Sequence, residues 1–275
     1  MISGLPDVVP AQWNRLADGV FVRRHASFDL NVGLVLGRDR ALVVDSRESR
    51  AAGEQLRAAV AELTDLPLMV VNTHAHLDHF FGNGAFAAAQ TDLEIYSQRL
   101  ALAEMISSGE EQRQRYAGVA RQDGRVELAD DYDETELVVA THVVDDETEL
   151  DLGGRTVRLW HPGEGHTDHD LVVDVPDADV LFVGDLVEQG APPAFEDSSP
   201  RAWPATVTAL LGLGRGLVVP GHGAVVTPDF VRAQRDQLRR VADVIEARIA
   251  GRPMTDEATY VGWPAETLTA ALARG

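Results

Sequence analysis

Three histidines and an aspartate stand in the stretch Thr73-His74-Ala75-His76-Leu77-Asp78-His79, which directly follows the apolar run Leu68–Asn72. In an extended chain, residues two apart face the same side, so His74 and His76 can bind one metal ion. Asp78 and His79 come where the chain turns into a helix, so their side chains point to a different place. The end of this predicted strand can therefore serve two metal ions.

Four residues do not complete two metal sites, and three further candidate ligands follow later in the chain. His166 lies in Gly165-His166-Thr167, Asp185 follows Gly184 at the end of an apolar run, and His222 lies in Pro220-Gly221-His222-Gly223. Each is next to a glycine, which lets the backbone approach a metal ion closely. Any one of these loops has an ordinary explanation as a turn. Together with residues 73–79, and in this order, they are specific for a two-metal site.

The ordered set H-x-H-x-D-H, G-H-T, G-D and P-G-H-G resembles the metallo-β-lactamase-fold metallohydrolase superfamily, in its glyoxalase II-like branch, over about residues 20–227. The resemblance implies an α/β (α+β) fold, a four-layer αββα sandwich with the metal site along one edge between two sheets. The ligands that it implies are His74, His76 and His166 for the first metal ion, Asp78, His79 and His222 for the second, and Asp185 as a bridge between the two.

Two differences from β-lactamases restrict the range of activities that the resemblance implies. The chain contains no cysteine, so the cysteine ligand of one β-lactamase class is impossible here. The resemblance puts Asp185 at the bridging position, which β-lactamases generally lack, and this favours glyoxalase II-like, lactonase-like or related esterase chemistry. Glyoxalase II holds glutathione with basic residues in its C-terminal part. Four arginines in the predicted last long helix offer no specific match to them: Arg232, Arg235, Arg239 and Arg240.

Charge arithmetic indicates the chemistry of such a site. Two Zn²⁺ ions bring four positive charges and the carboxylates of Asp78 and Asp185 supply two negative ones, so the remainder favours a bound hydroxide. Asp78 can also orient that hydroxide, which makes it the predicted catalytic residue. We therefore expect a dinuclear zinc hydrolase that uses a metal-bound hydroxide to cleave a small ester, thioester, lactone or related amide. Histidine and carboxylate ligands also suit Fe and Mn.

Two other functions stay open from the sequence. A mononuclear iron persulfide dioxygenase keeps much of the same ligand pattern, and a non-catalytic ligand-binding protein can use the same fold. Metal content and turnover of a carbonyl substrate distinguish these functions from the hydrolase.

The composition excludes several other kinds of chemistry. All 24 basic residues are arginine, and neither lysine nor cysteine occurs, which excludes Schiff bases, a Walker A lysine, disulfides and thiol nucleophiles. The 44 acidic residues give a formal charge of −20, which disfavours nucleic acid and anionic membranes as partners. We expect a small-molecule substrate and a cytoplasmic location, since the N-terminal stretch has no recognisable targeting segment. The oligomeric state is open, with a homodimer among the options.

The resemblance implies one domain over residues 1–275, and the sequence predicts two additions to it. A mostly helical insertion at about 98–146 is expected to cover the mouth of the active site, and a helical extension occupies about 228–275. The second part of the insertion belongs to the acidic run 127–151, which holds eleven acids and no base and is expected to be a solvated face or loop. The alternative for the insertion is a dimer contact or a solvated face far from the metals.

Several further residues have two explanations each. Asp45 ends an apolar run and either hydrogen-bonds a metal-binding histidine or caps the strand end. His169 is expected to be a hydrogen-bonded or exposed loop residue, although it is near enough to His166 to reach the pocket. Glu188, Phe195 and Trp203 follow Asp185 and can line the substrate pocket, while packing between layers explains the two aromatic residues equally well.

Overall fold

A computed structural model of the chain describes residues 11–252 and 254–275. The first ten residues, part of the stretch in which the sequence predicts no targeting segment, lie outside this range. Within the described ranges, no helix has the length and apolarity needed to cross a membrane.

The first sheet has seven strands that neighbour one another in chain order. The strands are β1 (Trp13–Ala17), β2 (Val20–Arg24), β3 (Asn31–Leu36), β4 (Ala41–Val44), β5 (Leu68–Val71), β6 (Glu94–Gln98) and β7 (His142–Val144). β1 to β4 pair antiparallel, whereas β4 to β7 pair parallel. The carboxyl ends of β4 and β5 therefore meet at the same edge of the sheet.

The second sheet has five strands in the order β12-β11-β10-β9-β8. The strands are β8 (Glu147–Asp151), β9 (Thr156–Trp160), β10 (Val172–Val175), β11 (Val180–Glu188) and β12 (Leu217–His222). All pairs are antiparallel except β11 with β12, which run parallel. β11 and β12 therefore also end at a common edge.

Helices cover the outer faces of both sheets. They are α1 (Arg50–Ala61), α2 (Leu77–Phe80), α3 (Asn83–Ala87), α4 (Arg99–Gln122), α5 (Val126–Glu134), α6 (Trp203–Gly212), α7 (Pro228–Ile249), α8 (Glu257–Val261) and α9 (Ala265–Leu272). α4 and α5 lie between β6 and β7, and α7 to α9 follow β12.

Alternating side chains on the strands divide the core into three apolar layers. Val43 of β4 packs toward α1, whereas Leu42 faces the second sheet and belongs to the same buried cluster as Phe182 of β11. On β11, Leu181 faces the other way and lies in a cluster with residues of α6 and α7. Because strand side chains alternate between faces, each sheet has one helix-covered side and one side against its partner. The predicted four-layer αββα sandwich is confirmed.

Two strands are longer than the sequence predicts, and the difference extends them into the metal-ligand loops. The apolar pattern predicts strands at 180–184 and 217–219, yet β11 continues to Glu188 and β12 to His222. Register shifts fall between Phe182 and Gly184 and again between Gly184 and Glu188. These irregularities let the strands stay paired past the point where the alternation of apolar residues stops.

Part of the acidic run forms the helix α5 and packs onto neighbouring helices. In α5, the Asp131 carboxylate accepts hydrogen bonds from Ser49 Oγ and from the Ala51 N–H at the start of α1. Asp133 pairs with Arg121 of α4. The acids therefore cap one helix and pair with another, which is why this stretch folds onto the helical layer.

Candidate metal centre

Asp45 fixes the start of the histidine-rich stretch. Its backbone is left-handed (φ +65°) at the end of β4, and its buried carboxylate accepts hydrogen bonds from the Thr73 N–H (2.8 Å) and Thr73 Oγ1 (2.9 Å). The same carboxylate lies 2.8 Å from His79 Nδ1. Asp45 thus does both things that the sequence left open: it holds the chain after β5 and it orients a candidate metal-binding histidine.

Four candidate ligands, which we call the first group, lie together: His74, His76, His166 and Asp185. His76 Nδ1 lies 3.0 Å from Nε2 of His74 and 3.0 Å from Nε2 of His166. Asp185 Oδ2 lies 3.6 Å from each of the same two Nε2 atoms. Three imidazole nitrogens and a carboxylate oxygen therefore surround one point at the sheet edge.

The second group consists of Asp78, His79 and His222. Asp78 Oδ2 lies 3.6 Å from His79 Nε2 and 3.5 Å from His222 Nε2. Asp185 adjoins this group as well, with Oδ1 3.5 Å from His79 Nε2 and Oδ2 3.1 Å from His222 Nε2. The structure thus brings all seven predicted residues together and places Asp185 between the groups. Their role as metal ligands stays a prediction.

Unsatisfied buried atoms make these residues fit metal ions. His79 Nε2 and Asp185 Oδ1 are buried, and neither has a hydrogen-bond partner among the described residues. Around a tetrahedral zinc ion with Zn–N bonds near 2.0–2.1 Å, neighbouring ligand atoms lie roughly 3.3 Å apart. The contacts within both groups, from 3.0 to 3.6 Å, bracket that spacing. A metal ion in each group would satisfy atoms that the protein alone leaves without partners.

The charges of the centre also favour cations. Burial lowers the pKa of His222, but the Asp185 and Asp78 carboxylates outweigh burial and raise that pKa to about 10. Burial likewise lowers the pKa of His79, while the same two carboxylates raise it well above its usual value. Burial raises the pKa of Asp185, yet the imidazoles of His222 and His79 hold it well below its usual range. The centre therefore concentrates negative charge that a divalent cation would neutralise.

Outer hydrogen bonds orient two of the histidines. His222 Nδ1 lies 2.7 Å from the Phe28 carbonyl oxygen, and His76 Nε2 lies 2.8 Å from Asp197 Oδ2. Such partners set which ring nitrogen carries the proton and hence which one faces a metal ion. The sequence does not predict this role for Asp197, because nothing in its local sequence distinguishes it from the other polar residues of the loop between β11 and α6.

Replacing Asp197 by asparagine should weaken metal binding in the first group. The amide keeps the shape of the side chain but loses the charge that polarises His76, and changes of this kind typically cost roughly 10- to 100-fold in metal affinity. Zinc titration of the metal-free protein measures the effect. Asp18→Asn is the control, since the Asp18 side chain is 93% exposed. An Asp197→Asn affinity equal to that of the control would contradict the orienting role.

The peptide between the two strand-end histidines is held on both sides. The Ala75 N–H donates to His169 Nε2 (3.2 Å), and the Ala75 carbonyl accepts from Gln112 Nε2 of α4 (2.9 Å). His169 Nδ1 in turn lies 2.7 Å from Asp168 Oδ1. His169 is therefore a hydrogen-bonded loop histidine that fixes the backbone between His74 and His76.

A cavity of about 840 Å³ opens onto both groups, and we call it the metal cavity. It is lined by residues of both groups, by Phe28 and Asp29, by the α4 face from Glu104 to Tyr116, and by the loop after β11. The predicted insertion therefore reaches the cavity through its first part, α4, whereas none of residues 127–151, all described, lines it. Phe195 and Trp203 are buried in the layer of α6 and α7 instead and do not line the cavity.

The sequence profile of the Metallo-beta-lactamase superfamily matches residues 28–222 of this chain. The chain belongs to the metallo-β-lactamase superfamily. The matched range contains all seven residues of the two groups, so the centre lies within the part of the chain that defines the family.

Two curated relatives are both metallo-β-lactamases of type 2. The protein of Bacillus sp. (strain 170) is 26% identical over 200 residues, which are 70% of this chain and 66% of the relative. The protein of Bacillus cereus is also 26% identical over 200 residues, which are 70% of this chain and 67% of the relative. The match thus leaves about a third of each metallo-β-lactamase relative uncovered.

Solved structures show the same fold. The crystal structure of the DIM-1 metallo-β-lactamase has a TM-score of 0.63 and 17% identity, covering 85% of this chain and 99% of that one. The mono-zinc form of FIM-1 from Pseudomonas aeruginosa has a TM-score of 0.63 and 18% identity, covering 86% and 98%. At these identities the likeness concerns the fold alone.

Proposed function

We propose that this superfamily member is a dinuclear metal hydrolase, with zinc as the metal, that cleaves a small ester, thioester, lactone or related amide. The observation that carries the proposal is that two adjacent ligand groups share Asp185 and open onto one cavity. Family membership supports a metal-dependent hydrolase. The glyoxalase II-like branch, rather than β-lactamase activity, is favoured by the absence of cysteine and by the aspartate between the groups.

The residues of the centre would divide between holding the two metal ions and orienting the attacking water. His74, His76 and His166 would hold one ion and Asp78, His79 and His222 the other, with Asp185 between. A metal ion bound at such a site lowers the pKa of a coordinated water toward neutrality and polarises the oxygen of a bound carbonyl. Asp78 lines the cavity, so its carboxylate can accept a hydrogen bond from the attacking water and orient it toward a substrate.

Metal removal and re-addition test the proposal. We expect protein prepared without added metal to contain about two zinc ions per chain by elemental analysis. Chelation should abolish the hydrolysis of an ester, thioester or lactone from a small panel, with a β-lactam as comparator. Zinc should restore it. One iron per chain with oxygen uptake on glutathione persulfide would instead indicate a dioxygenase, and full occupancy without turnover of any carbonyl substrate would indicate a binding protein. The proposed substrate is a small molecule. Whether the protein forms a homodimer is a separate question that a measurement of its mass in solution answers.

A further inference from the structure

Glu188 is a buried acid that the proposed chemistry does not use. It is the last residue of β11, three positions after Asp185, and only 8% of it is exposed. It lines the metal cavity together with Asp78, Asp185 and His222, yet it belongs to neither ligand group. An ionised carboxyl group buried at the wall of a cavity needs a cationic partner, because without one burial favours its neutral form.

The structure holds Glu188 in place but leaves one of its oxygens free. Its backbone N–H donates to Gln234 Oε1 of α7 (3.2 Å), and its Oε1 accepts from the Ala194 N–H (3.0 Å). Within the described part of the chain, Oε2 has no hydrogen-bond partner and no arginine pairs with the carboxylate. The side chain is therefore held at the wall of the metal cavity, with one carboxyl oxygen that no described residue occupies.

We propose that Glu188 determines substrate specificity by binding a positively charged hydrogen-bond donor, an ammonium group, on the substrate whose carbonyl is attacked. This inference rests on the proposed hydrolase function and adds the substrate class to it. A charged donor is the partner that a fixed, buried carboxylate oxygen binds most strongly, since charge-assisted hydrogen bonds are stronger than neutral ones.

The rest of the cavity wall has the matching charge. Glu104 and Glu111 lie seven residues apart on the cavity face of α4, and Glu196 lies in the loop opposite. None of these three acids forms an ion pair with a described residue, whereas Arg115 is the single arginine lining the cavity. The wall therefore attracts a cation toward the mouth and disfavours an anionic substrate.

A matched pair of substrates tests the inference. Phenyl esters of ω-amino acids, with chains of three to six carbons, are compared with phenyl alkanoates in which a methyl group replaces the ammonium. We expect the zinc-loaded wild type to prefer the ammonium ester at its best chain length, and Glu188→Gln to reduce that preference roughly 10- to 100-fold. Glu127→Gln, an exposed acid outside the cavity, should retain the wild-type preference.

Salt separates Glu188 from the acids of the mouth. The loss in Glu188→Gln should persist as salt rises, because buried pairs are screened little, while any loss in Glu104→Gln with Glu111→Gln should shrink. Equal preference in Glu188→Gln and wild type, or a wild type that does not distinguish the two esters, would overturn the inference. So would loss of metal from Glu188→Gln, because Glu188 would then belong to the metal site.

A binding measurement keeps this result separate from the proposed function. Hexylammonium and hexanol are titrated calorimetrically into the same metal-loaded proteins, with no turnover needed. If hexylammonium binds more tightly than hexanol, and Glu188→Gln loses this difference, the cation site is supported even without turnover. Failure to hydrolyse either ester would count against the proposed hydrolase function but not against the cation site. No difference between hexylammonium and hexanol would overturn the cation site, whatever the esterase activity.

Discussion

Asp185→Asn should empty both metal groups and lower kcat/KM on the order of 10³-fold or more. Asp185 is the residue whose oxygens reach both groups, at 3.5 Å from His79 Nε2 and 3.6 Å from His166 Nε2. The amide removes one of the two carboxylate charges that would balance two dications. Elemental analysis and turnover of the best substrate of the panel measure the two effects.

Single-histidine variants separate the groups. His76→Ala should mainly deplete the first ion and His222→Ala the second, so each should lose about half of the metal. As the control for Asp185→Asn, Asp92→Asn makes the same chemical change on an exposed aspartate and should bind metal and turn over substrate like the wild type. The assignment would be wrong if His222→Ala left both occupancies intact.

Gly221→Ala should disable the centre without touching a ligand. A Cβ at Gly221 would lie 1.7 Å from Asp185 Oδ1 and 2.8 Å from the Gly184 carbonyl carbon. Parallel pairing of β11 with β12 leaves the backbone little freedom to move away, so Asp185 must shift. We expect metal loss and a fall in activity approaching those of Asp185→Asn, with a stability cost of about 1–3 kcal/mol.

The matched control for that variant is Gly118→Ala, near the C-terminal end of α4. A Cβ at Gly118 would meet nothing within 4 Å. Because alanine is the better helix former, this change should leave the metals in place and stabilise the protein by about 0.5–1 kcal/mol. Denaturant unfolding and metal analysis of both variants give the comparison. Full activity in Gly221→Ala would show that Asp185 does not need its observed position.

The seven candidate ligands could be read from the sequence because each lies in a short motif beside a strand end. His74 and His76 are two positions apart after a strand. Gly221, next to His222, is a glycine because the backbone approaches Asp185 too closely there for a side chain. Local spacing marks these residues as candidates, whereas their division into two groups with Asp185 as the bridge comes from the resemblance to the superfamily.

What the sequence did not reveal depends on contacts between distant segments. Asp197 meets His76 across 121 positions of the chain, and Gln112 meets Ala75 across 37. β6 is mostly polar and β7 has three residues, so neither has a strong strand pattern. They are strands because β5 provides a parallel neighbour for β6, which in turn pairs with β7. The sequence predicts a solvated face or loop for the acidic run, because the partners that stabilise α5, namely α1 and α4, lie elsewhere in the chain.

The candidate ligands come from both sheets: His74 and His76 follow β5 of the first sheet, whereas Asp185 and His222 belong to β11 and β12 of the second. A bound ion would therefore act as a cross-link between two halves of the fold that otherwise meet mainly through apolar side chains. By thermodynamic linkage, an ion at 1,000 times its Kd adds about 4 kcal/mol to the free energy of unfolding. Availability of the metal would then set how long the folded chain survives, in addition to how fast it turns over.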